Sequence, residues 1–238
     1  MIMPQGQIIR LQPKKPLKKK IGIIVQARMT SVRFPGKSMA LLDGKPLIEH
    51  VLERARHIRA NKQYDTEIIV AVPDTPESEP IIAHADKMGI SNFCGSELDV
   101  LRRYYDCAAF FHFDYIVRIT GDCPFIDPRV CSEVLQLLIW RKLDYSSNIF
   151  PKRSYPKGLD CEAFTMDCLE AAHKITDAPY FREHVTLWMQ STKEIKRACV
   201  QQRDNQGHLN YCVDYPEDIP RLELILKEQR EANEQQAG

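Results

Sequence analysis

The sequence predicts an α/β protein built on a doubly wound, mainly parallel sheet. Short apolar, β-branched runs alternate along the chain with segments whose apolar residues recur at helical spacing. The strand runs are apolar throughout, which is typical of parallel strands covered by helices on both faces of a sheet. With 238 residues the chain is long enough for one such domain.

The predicted elements follow one another in regular alternation. Strands are expected over residues 21–27, 67–72 and 114–120, and helices over residues 46–60, 80–88, 96–111 and 128–140. Ser96 is predicted to cap the third helix, with Glu97 and Asp99 in its first turn. Asp127 and Asp218 are interpreted as turn or cap residues. Residues 144–213 are less regular and mix short strands with helices.

Charge is unevenly distributed along the chain. Residues 1–20 contain six basic and no acidic residues, whereas the remainder contains 27 basic and 32 acidic residues. We therefore predict a disordered basic arm over 1–20, a single domain over 21–230 and a tail over 231–238. The acidic balance of the domain argues against a general nucleic-acid binder.

Composition also limits the compartment. No apolar run approaches the ~20 residues that span a membrane, and residues 1–20 lack the apolar core of a signal peptide. The eight cysteines show neither a C-x-x-C pair nor a Cys/His metal spacing. We expect reduced, mostly buried thiols in a cytoplasmic protein.

The most informative segment is the loop that follows the first predicted strand. Residues 26–37 read QARMTSVRFPGK, so Arg28, Arg33 and Lys37 follow a buried strand closely. Guanidinium forks and a lysine ammonium are suited to a polyphosphate, which predicts a nucleoside triphosphate site. The ending Gly36–Lys37–Ser38 imitates a P-loop, but Ser31 stands where that motif requires glycine.

Two aspartates are expected to face this loop. Asp122 follows the strand 114–120 directly, and Asp214 is predicted to lie at the end of another strand, in the segment 209–214. Ligands bind beyond the carboxyl ends of parallel strands. Mg²⁺ is usually held by one or two carboxylates together with phosphate oxygens and water, so we predict that Asp122 and Asp214 bind Mg²⁺.

Further polar residues suggest a region that contacts a polar substrate. Asp160 and Glu162 alternate about Cys161, so both side chains would lie on one face of a strand. Glu183 and His184 follow Arg182 early in a predicted amphipathic helix. These four residues are candidates for contacts with a polar substrate.

Together these segments resemble a known family. The chain is similar to the SpsF-type (spore coat polysaccharide biosynthesis) cytidylyltransferases, which are related to CMP-sugar synthetases for ulosonic and neuraminic acids. The resemblance extends over about residues 21–220. It is carried by the loop 26–37 and by GKPL (44–47), GSELDVL (95–101), ITGDCP (119–124), GLD (158–160), REHVT (182–186) and VDYPED (213–218).

The resemblance implies the nucleotide-diphospho-sugar transferase (Rossmann-like) fold and transfer of CMP from CTP to an acidic sugar or another surface-polysaccharide precursor, with Mg²⁺ and release of pyrophosphate. Its implied nucleotide-binding residues are Gln26, Ala27, Arg28, Ser31, Arg33, Lys37, Gly95, Ser96, Asp99 and Asp122, and those facing the acceptor are Asp160, Glu162, Glu183 and His184. It further implies a homodimer, with 144–190 either covering the acceptor or forming the dimer contact. The general base stays open between a carboxylate, His184 and a metal-bound hydroxide.

Three alternatives remain at this level. The first is a nucleotidyltransferase of the same fold that uses another nucleotide. The second is a glycosyltransferase, although such enzymes usually carry an Asp-x-Asp motif and this chain has none. The third is a non-catalytic nucleotide-binding protein.

Overall fold

The computed structural model describes residues 18–237 and contains a seven-stranded sheet. Its strand order is β5–β4–β1–β6–β8–β7–β9. A small antiparallel hairpin, β2–β3, lies beside it. The bounds are β1 Lys20–Gln26, β2 Leu41–Leu42, β3 Lys45–Pro46, β4 Asp65–Pro73, β5 Ser91–Gly95, β6 Tyr115–Thr120, β7 Tyr145–Ser147, β8 Glu162–Thr165 and β9 Arg197–Cys199.

Eight α-helices accompany the strands in the described residues. They are α1 Leu47–Ala55, α2 Glu79–Lys87, α3 Val100–Phe110, α4 Pro128–Arg141, α5 Met166–Ile175, α6 Pro179–His184, α7 Leu187–Ser191 and α8 Asp218–Ala237.

Because side chains alternate along a strand, β1 contributes Ile23 and Val25 to one core and Ile24 to the other. Helices α1, α2 and α4 pack on the first face, and α3, α5 and α7 on the second. The predicted doubly wound α/β fold is thereby confirmed.

The direction of the strands determines where a ligand can bind. Strands β5, β4, β1 and β6 run parallel to one another, and β8 is antiparallel to both β6 and β7. The chain builds outward from β1 through β4 to β5 and then returns to place β6 on the other side of β1. The crevice beyond the carboxyl ends of β1 and β6 is therefore the topological switch point, the usual ligand site of such sheets.

A third, smaller core attaches the C-terminal part of the chain. Leu42 and Leu47 pack with Phe125, Val213 and Leu222. This contact holds α8 against the hairpin and fixes the segment before Asp214. None of the helices in residues 18–237 is both long enough and apolar enough to cross a membrane.

The structure corrects several predicted boundaries. The third helix begins at Val100, and its cap is Asp99, whose carboxylate accepts a hydrogen bond from the Arg102 amide. Ser96 is not the cap, because its hydroxyl instead accepts from the Asp99 amide 3.0 Å away in the preceding turn. Helix α1 ends at Ala55, several residues before the predicted end. The predictions for Asp127 and Asp218 are confirmed, since both accept backbone amides at helix starts.

The predicted division of the chain is only partly visible. The basic arm lies outside the described residues except for residues 18–20, and Lys20 already belongs to β1. The predicted boundary between the domain and the tail falls inside α8, which continues to Ala237. The role of 144–190 stays a prediction.

Candidate active site

The candidate site lies where β1 and β6 end side by side. Gly121 follows β6 and donates its amide to the Gln26 carbonyl at 2.7 Å. A Cβ atom at Gly121 would lie 3.0 Å from the Ala27 Cβ and 2.8 Å from Ile48 Cδ1. Only glycine permits this close approach, which brings Asp122 beside the loop that leaves β1.

The basic loop is shaped by its own backbone. Gly36 has a φ of 74°, a left-handed conformation that favours glycine, and a short 3₁₀-helix, Lys37–Met39, follows. The Ser38 hydroxyl donates to the Arg28 carbonyl at 3.1 Å, which ties the two ends of the loop together. The 3₁₀ turn confirms the rejection of a P-loop, whose lysine begins an α-helix.

Lys37 connects the two predicted metal-binding carboxylates. Its Nζ atom lies 2.5 Å from Asp122 Oδ2 and 4.0 Å from Asp214 Oδ1. The same atom donates to the Val213 carbonyl at 3.2 Å. The side chain of Lys37 is only 11% exposed, so its charge acts in a largely desolvated setting.

The charges around Asp122 set its protonation. Burial raises the pKa of Asp122, but the Lys37 charge and hydrogen bond outweigh burial, so its pKa lies below the ordinary value. Asp122 is therefore an anion at neutral pH.

Asp214 lies at the site, but the segment that carries it is not the predicted strand. Residues 209–214 do not form a strand; an isolated bridge joins Asn210 to Lys157, and the Val213 amide donates to the Asp122 carbonyl at 3.3 Å. The extended segment is held by the third core and by these bonds rather than by a ladder. Asp214 also forms an ion pair with Arg33, whose guanidinium lies 5.3 Å from the centroid of the Tyr215 ring.

These groups surround one cavity of about 270 Å³. The three cations and both carboxylates line it, as does Gln26, whose Oε1 atom is buried without a hydrogen-bond partner. A buried acceptor without a partner lowers the stability of the fold, and a hydrogen-bond donor on a ligand could satisfy it. The lining residues are Gln26, Ala27, Arg28, Ser31, Val32, Arg33, Lys37, Ser38, Thr120, Asp122 and Asp214.

The donor set fits a hard divalent cation bound together with phosphates. Asp122 and Asp214 supply oxygen atoms within 4.0 Å of one ammonium group, and their side chains are 27% and 32% exposed. Two carboxylates are the usual protein contribution to a Mg²⁺–nucleotide site. Within residues 18–237 no group of three or more His, Cys, Asp or Glu residues is placed to hold a metal by itself.

The residues predicted to contact the nucleoside have other roles in this structure. Asp99 caps α3 and forms an ion pair with Arg182, whose Nε lies 2.7 Å from Asp99 Oδ2. Gly95, Ser96 and Asp99 lie outside the cavity lining, but Glu97 approaches the basic loop, because Thr30 Oγ1 donates to its carboxylate at 2.8 Å. The nucleoside contacts stay a prediction.

The two acidic residues around Cys161 do not share a strand face. Strand β8 begins only at Glu162, and Asp160 precedes it in a partly exposed ion pair with Arg153. Glu162 is 1% exposed and accepts from Arg118 at 2.6 Å and from the Tyr145 hydroxyl at 2.6 Å. The expected common face is wrong, because one side chain enters the core and the other does not.

Glu183 and His184 are exposed and lie at the end of α6 rather than early in a helix. The next residue, Val185, has a φ of 59° and ψ of −59°. A β-branched residue rarely adopts this conformation, and the Thr186 amide closes the tight turn on the His184 carbonyl at 2.6 Å. The turn ends α6 sharply and leaves both polar side chains at the surface.

Sequence reasoning missed Thr120, Val32 and Ser38 as residues of the cavity wall. The signal for Thr120 was present, since it is the last residue of the strand that delivers Asp122. Ser38 was noted only as part of the false P-loop. Its bond to Arg28 could not be inferred from spacing.

Comparison with known proteins agrees with this geometry. The model of the cytidylyltransferase family matches residues 22–237. The spore coat polysaccharide biosynthesis protein SpsF of Bacillus subtilis is 27% identical over 87% of this chain and 86% of its own. A 3-deoxy-manno-octulosonate cytidylyltransferase of Geobacter metallireducens is 33% identical over 50% of this chain and 45% of its own. The structure of a cytidylyltransferase from Leptospira borgpetersenii superposes with a TM-score of 0.80 at 30% identity, covering 86% of this chain and 85% of that one. The chain belongs to the cytidylyltransferase family.

Proposed function

We propose that this protein transfers CMP from CTP to the hydroxyl group of an acidic sugar and releases pyrophosphate. The observation that carries the proposal is the convergence of Arg28, Arg33 and Lys37 with two aspartates in one cavity at the switch point of the sheet. The acidic-sugar class is supported by the related octulosonate cytidylyltransferase and by the spore-coat polysaccharide relative.

The three cations would bind the triphosphate. Arg28 and Arg33 offer planar donor forks that match phosphate oxygens, and Lys37 adds a compact charge. The acceptor hydroxyl gives its proton to a general base, and its oxygen attacks the α-phosphorus of CTP. The bond to the bridging oxygen breaks, and its electron pair leaves with pyrophosphate. Cations placed beside the departing group stabilise the charge that develops there, which is the main source of catalysis in such transfers.

Asp122 and Asp214 would hold Mg²⁺. When bound there, the ion neutralises phosphate charge and orients the triphosphate. Asp122 is suited to this role because it stays ionised, and Asp214 because Lys37 and Arg33 hold it on the same cavity wall.

The acceptor would bind beyond the nucleotide, where Asp160, Glu183 and His184 remain our proposed contacts. We assign Glu162 instead to the support of this region, because its carboxylate is already satisfied by buried partners.

The test is pyrophosphate release from CTP in the presence of Mg²⁺ and a panel of 3-deoxy-ulosonic and neuraminic acids. Wild-type protein should release pyrophosphate with CTP and one acidic sugar, and Asp122→Asn should abolish turnover while leaving the thermal midpoint close to that of the wild type. Equal activity with UTP, ATP or GTP would favour another donor. Full activity of Asp122→Asn would remove that residue from the metal site.

A further inference from the structure

Two cysteine residues lie next to the two candidate metal-binding aspartates in the sequence, and their thiols lie close together in the fold. Cys123 follows Asp122 in the chain, and Cys212 precedes Asp214 by two residues. Their sulfur atoms are 3.9 Å apart, although the residues are 89 positions apart in sequence. The thiol pair therefore joins the two segments that carry the carboxylates.

The surrounding backbone already holds these segments together. The Val213 amide donates to the Asp122 carbonyl at 3.3 Å, next to both cysteines. Both thiols are free. A disulfide needs a sulfur–sulfur distance of about 2 Å, so the two sulfurs must approach by roughly 1.9 Å. Side-chain rotation and a small backbone shift supply a movement of that size.

The two cysteine residues differ in their exposure to solvent. Cys123 is 3% exposed, whereas Cys212 is partly exposed. A dissolved oxidant therefore meets Cys212 first, and Cys123 is positioned to resolve the oxidised sulfur.

We propose that Cys123 and Cys212 are an oxidative modification site, at which a peroxide forms a disulfide that reversibly suppresses the activity of the adjacent aspartates. In the first step the Cys212 sulfur attacks one oxygen of hydrogen peroxide and the O–O bond breaks. The departing hydroxide takes up the Cys212 thiol proton and becomes water, and Cys212 becomes a sulfenic acid. In the second step Cys123 attacks that sulfur and hydroxide leaves. The proton of the Cys123 thiol converts the hydroxide to water, so two thiols and one hydrogen peroxide give one disulfide and two waters.

The consequence for the site follows from the contacts of Cys123. Its sulfur lies 3.0 Å from Thr120 Oγ1 and 3.6 Å from Asp122 Oδ1. Movement of this sulfur toward Cys212 breaks these contacts and shifts Asp122 relative to Lys37. Thr120 and Asp122 both line the cavity, so nucleotide and metal binding weaken together. The effect on turnover rests on the proposed function, whereas formation of the cross-link does not.

A second thiol pair provides an internal control. Cys161, which directly precedes β8, lies against Cys131 on α4, and both residues are fully buried. The pair has the same chemistry as Cys123 and Cys212 but no access to solvent and no contact with the cavity. A peroxide should leave it reduced in the folded protein.

The experiment compares the wild type with Cys212→Ser and Cys131→Ala. Each protein is treated with hydrogen peroxide and alkylated, and its peptides are identified by mass spectrometry. CTP–Mg²⁺ binding by calorimetry and pyrophosphate release are measured before oxidation, after it and after dithiothreitol. We expect a peptide joined through Cys123 and Cys212 in the wild type and in Cys131→Ala, with at least about tenfold loss of turnover and of CTP–Mg²⁺ affinity that dithiothreitol reverses. Cys212→Ser should keep both after peroxide.

Other outcomes separate the inference from the proposed function. Failure to form the cross-link at peroxide levels that oxidise the exposed thiol of Cys94 would overturn the inference, as would a complete cross-link with unchanged nucleotide binding and turnover. Equal inactivation of Cys212→Ser would also overturn it. A reduced wild type without turnover on any acidic sugar would count against the proposed function, and the cross-link and the calorimetric binding would then decide the inference alone.

Discussion

The Nζ atom of Lys37 lies 2.5 Å from Asp122 Oδ2, so an ion pair joins the loop after β1 to the loop after β6. Because Asp214 lies 4.0 Å from the same ammonium, Lys37 also balances the second carboxylate. The positive and negative halves of the candidate site are therefore assembled before any ligand binds. This arrangement leads to the first prediction.

Lys37→Ala should raise the pKa of Asp122, because the charge that holds it low is removed. A hydrogen bond to a charged group contributes about 1.5–3 kcal/mol, so CTP binding should weaken by roughly 10- to 100-fold. Titration of the Asp122 carboxyl by NMR and calorimetry with CTP–Mg²⁺ check both parts. Lys45→Ala is the matched control, since Lys45 forms its ion pairs with Glu49 and Glu53 on α1 outside the cavity. Equal weakening in both variants would contradict a local role for Lys37.

Arg33→Ala should change nucleotide affinity far more than stability. The Arg33 side chain is 54% exposed, and exposed ion pairs contribute little to folding because water screens them. The loss of a planar phosphate donor should nevertheless raise KM for CTP about tenfold or more. Urea unfolding and steady-state kinetics measure the two effects. Arg129→Ala, which removes an exposed ion pair with Asp127, should leave KM unchanged. An unchanged KM in Arg33→Ala would exclude Arg33 from the triphosphate site.

Arg118→Met should destabilise the fold without a selective effect on acceptor binding. Arg118 and Glu162 are direct register partners on β6 and β8, and Glu162 is fully enclosed. Removing one partner of a buried ion pair leaves an uncompensated charge and costs about 3–5 kcal/mol. Chemical denaturation measures the loss, and kinetics at a temperature where the variant is folded measure KM for the acceptor sugar. A stable variant with a greatly raised KM for the acceptor sugar would indicate that Glu162 contributes to acceptor binding.

Asp99→Ala and Asp99→Asn should separate the contribution of the Asp99 cap to stability from the contribution of its negative charge. Alanine removes the cap of α3 and the partner of Arg182, so it should destabilise by about 1–2 kcal/mol or more. Asparagine is an equally good cap and should be milder. Thermal unfolding ranks the variants, and CTP titration tests the predicted nucleoside contact. Equal loss of CTP affinity in two variants of unequal stability would support that contact.

Gly158→Ala should weaken the support of Asp214. Gly158 has a φ of 92°, and a Cβ atom there would lie 2.6 Å from the carbonyl carbon of Tyr211. Alanine must therefore displace the segment that leads to Asp214. This displacement comes in addition to the strain of the left-handed backbone, which costs about 1–2 kcal/mol in folding free energy. Gly89→Ala isolates the strain, because Gly89 has a φ of 66° and open space around it. We expect reduced Mg²⁺-dependent CTP binding only in Gly158→Ala, measured by calorimetry. Equal binding in both variants would contradict the supporting role.

The pattern of apolar runs was sufficient for the architecture, because strands buried on both faces and helices with one apolar stripe are encoded in neighbouring residues. It was also sufficient to place Arg28, Arg33, Lys37 and Asp122 together. A residue that directly follows a parallel strand must lie at its carboxyl edge, so local sequence fixes its position in the sheet. Resemblance to a family of cytidylyltransferases then supplied the nucleotide and the reaction class.

Only the tertiary structure decided the roles that depend on contacts between distant segments. Asp214 lies at the site through an extended segment and a packed C-terminal helix, not through a strand, and nothing in its neighbours encodes that support. Glu162 enters the core because Arg118 stands opposite it on β6, and Asp99 caps α3 while pairing with Arg182. Likewise, Cys123 and Cys212 are neighbours only in the folded chain. The sequence by itself determined the sheet and the charges delivered to its edge, since these follow from local periodicity. Which side chains are paired, buried or left for a ligand is set by long-range packing.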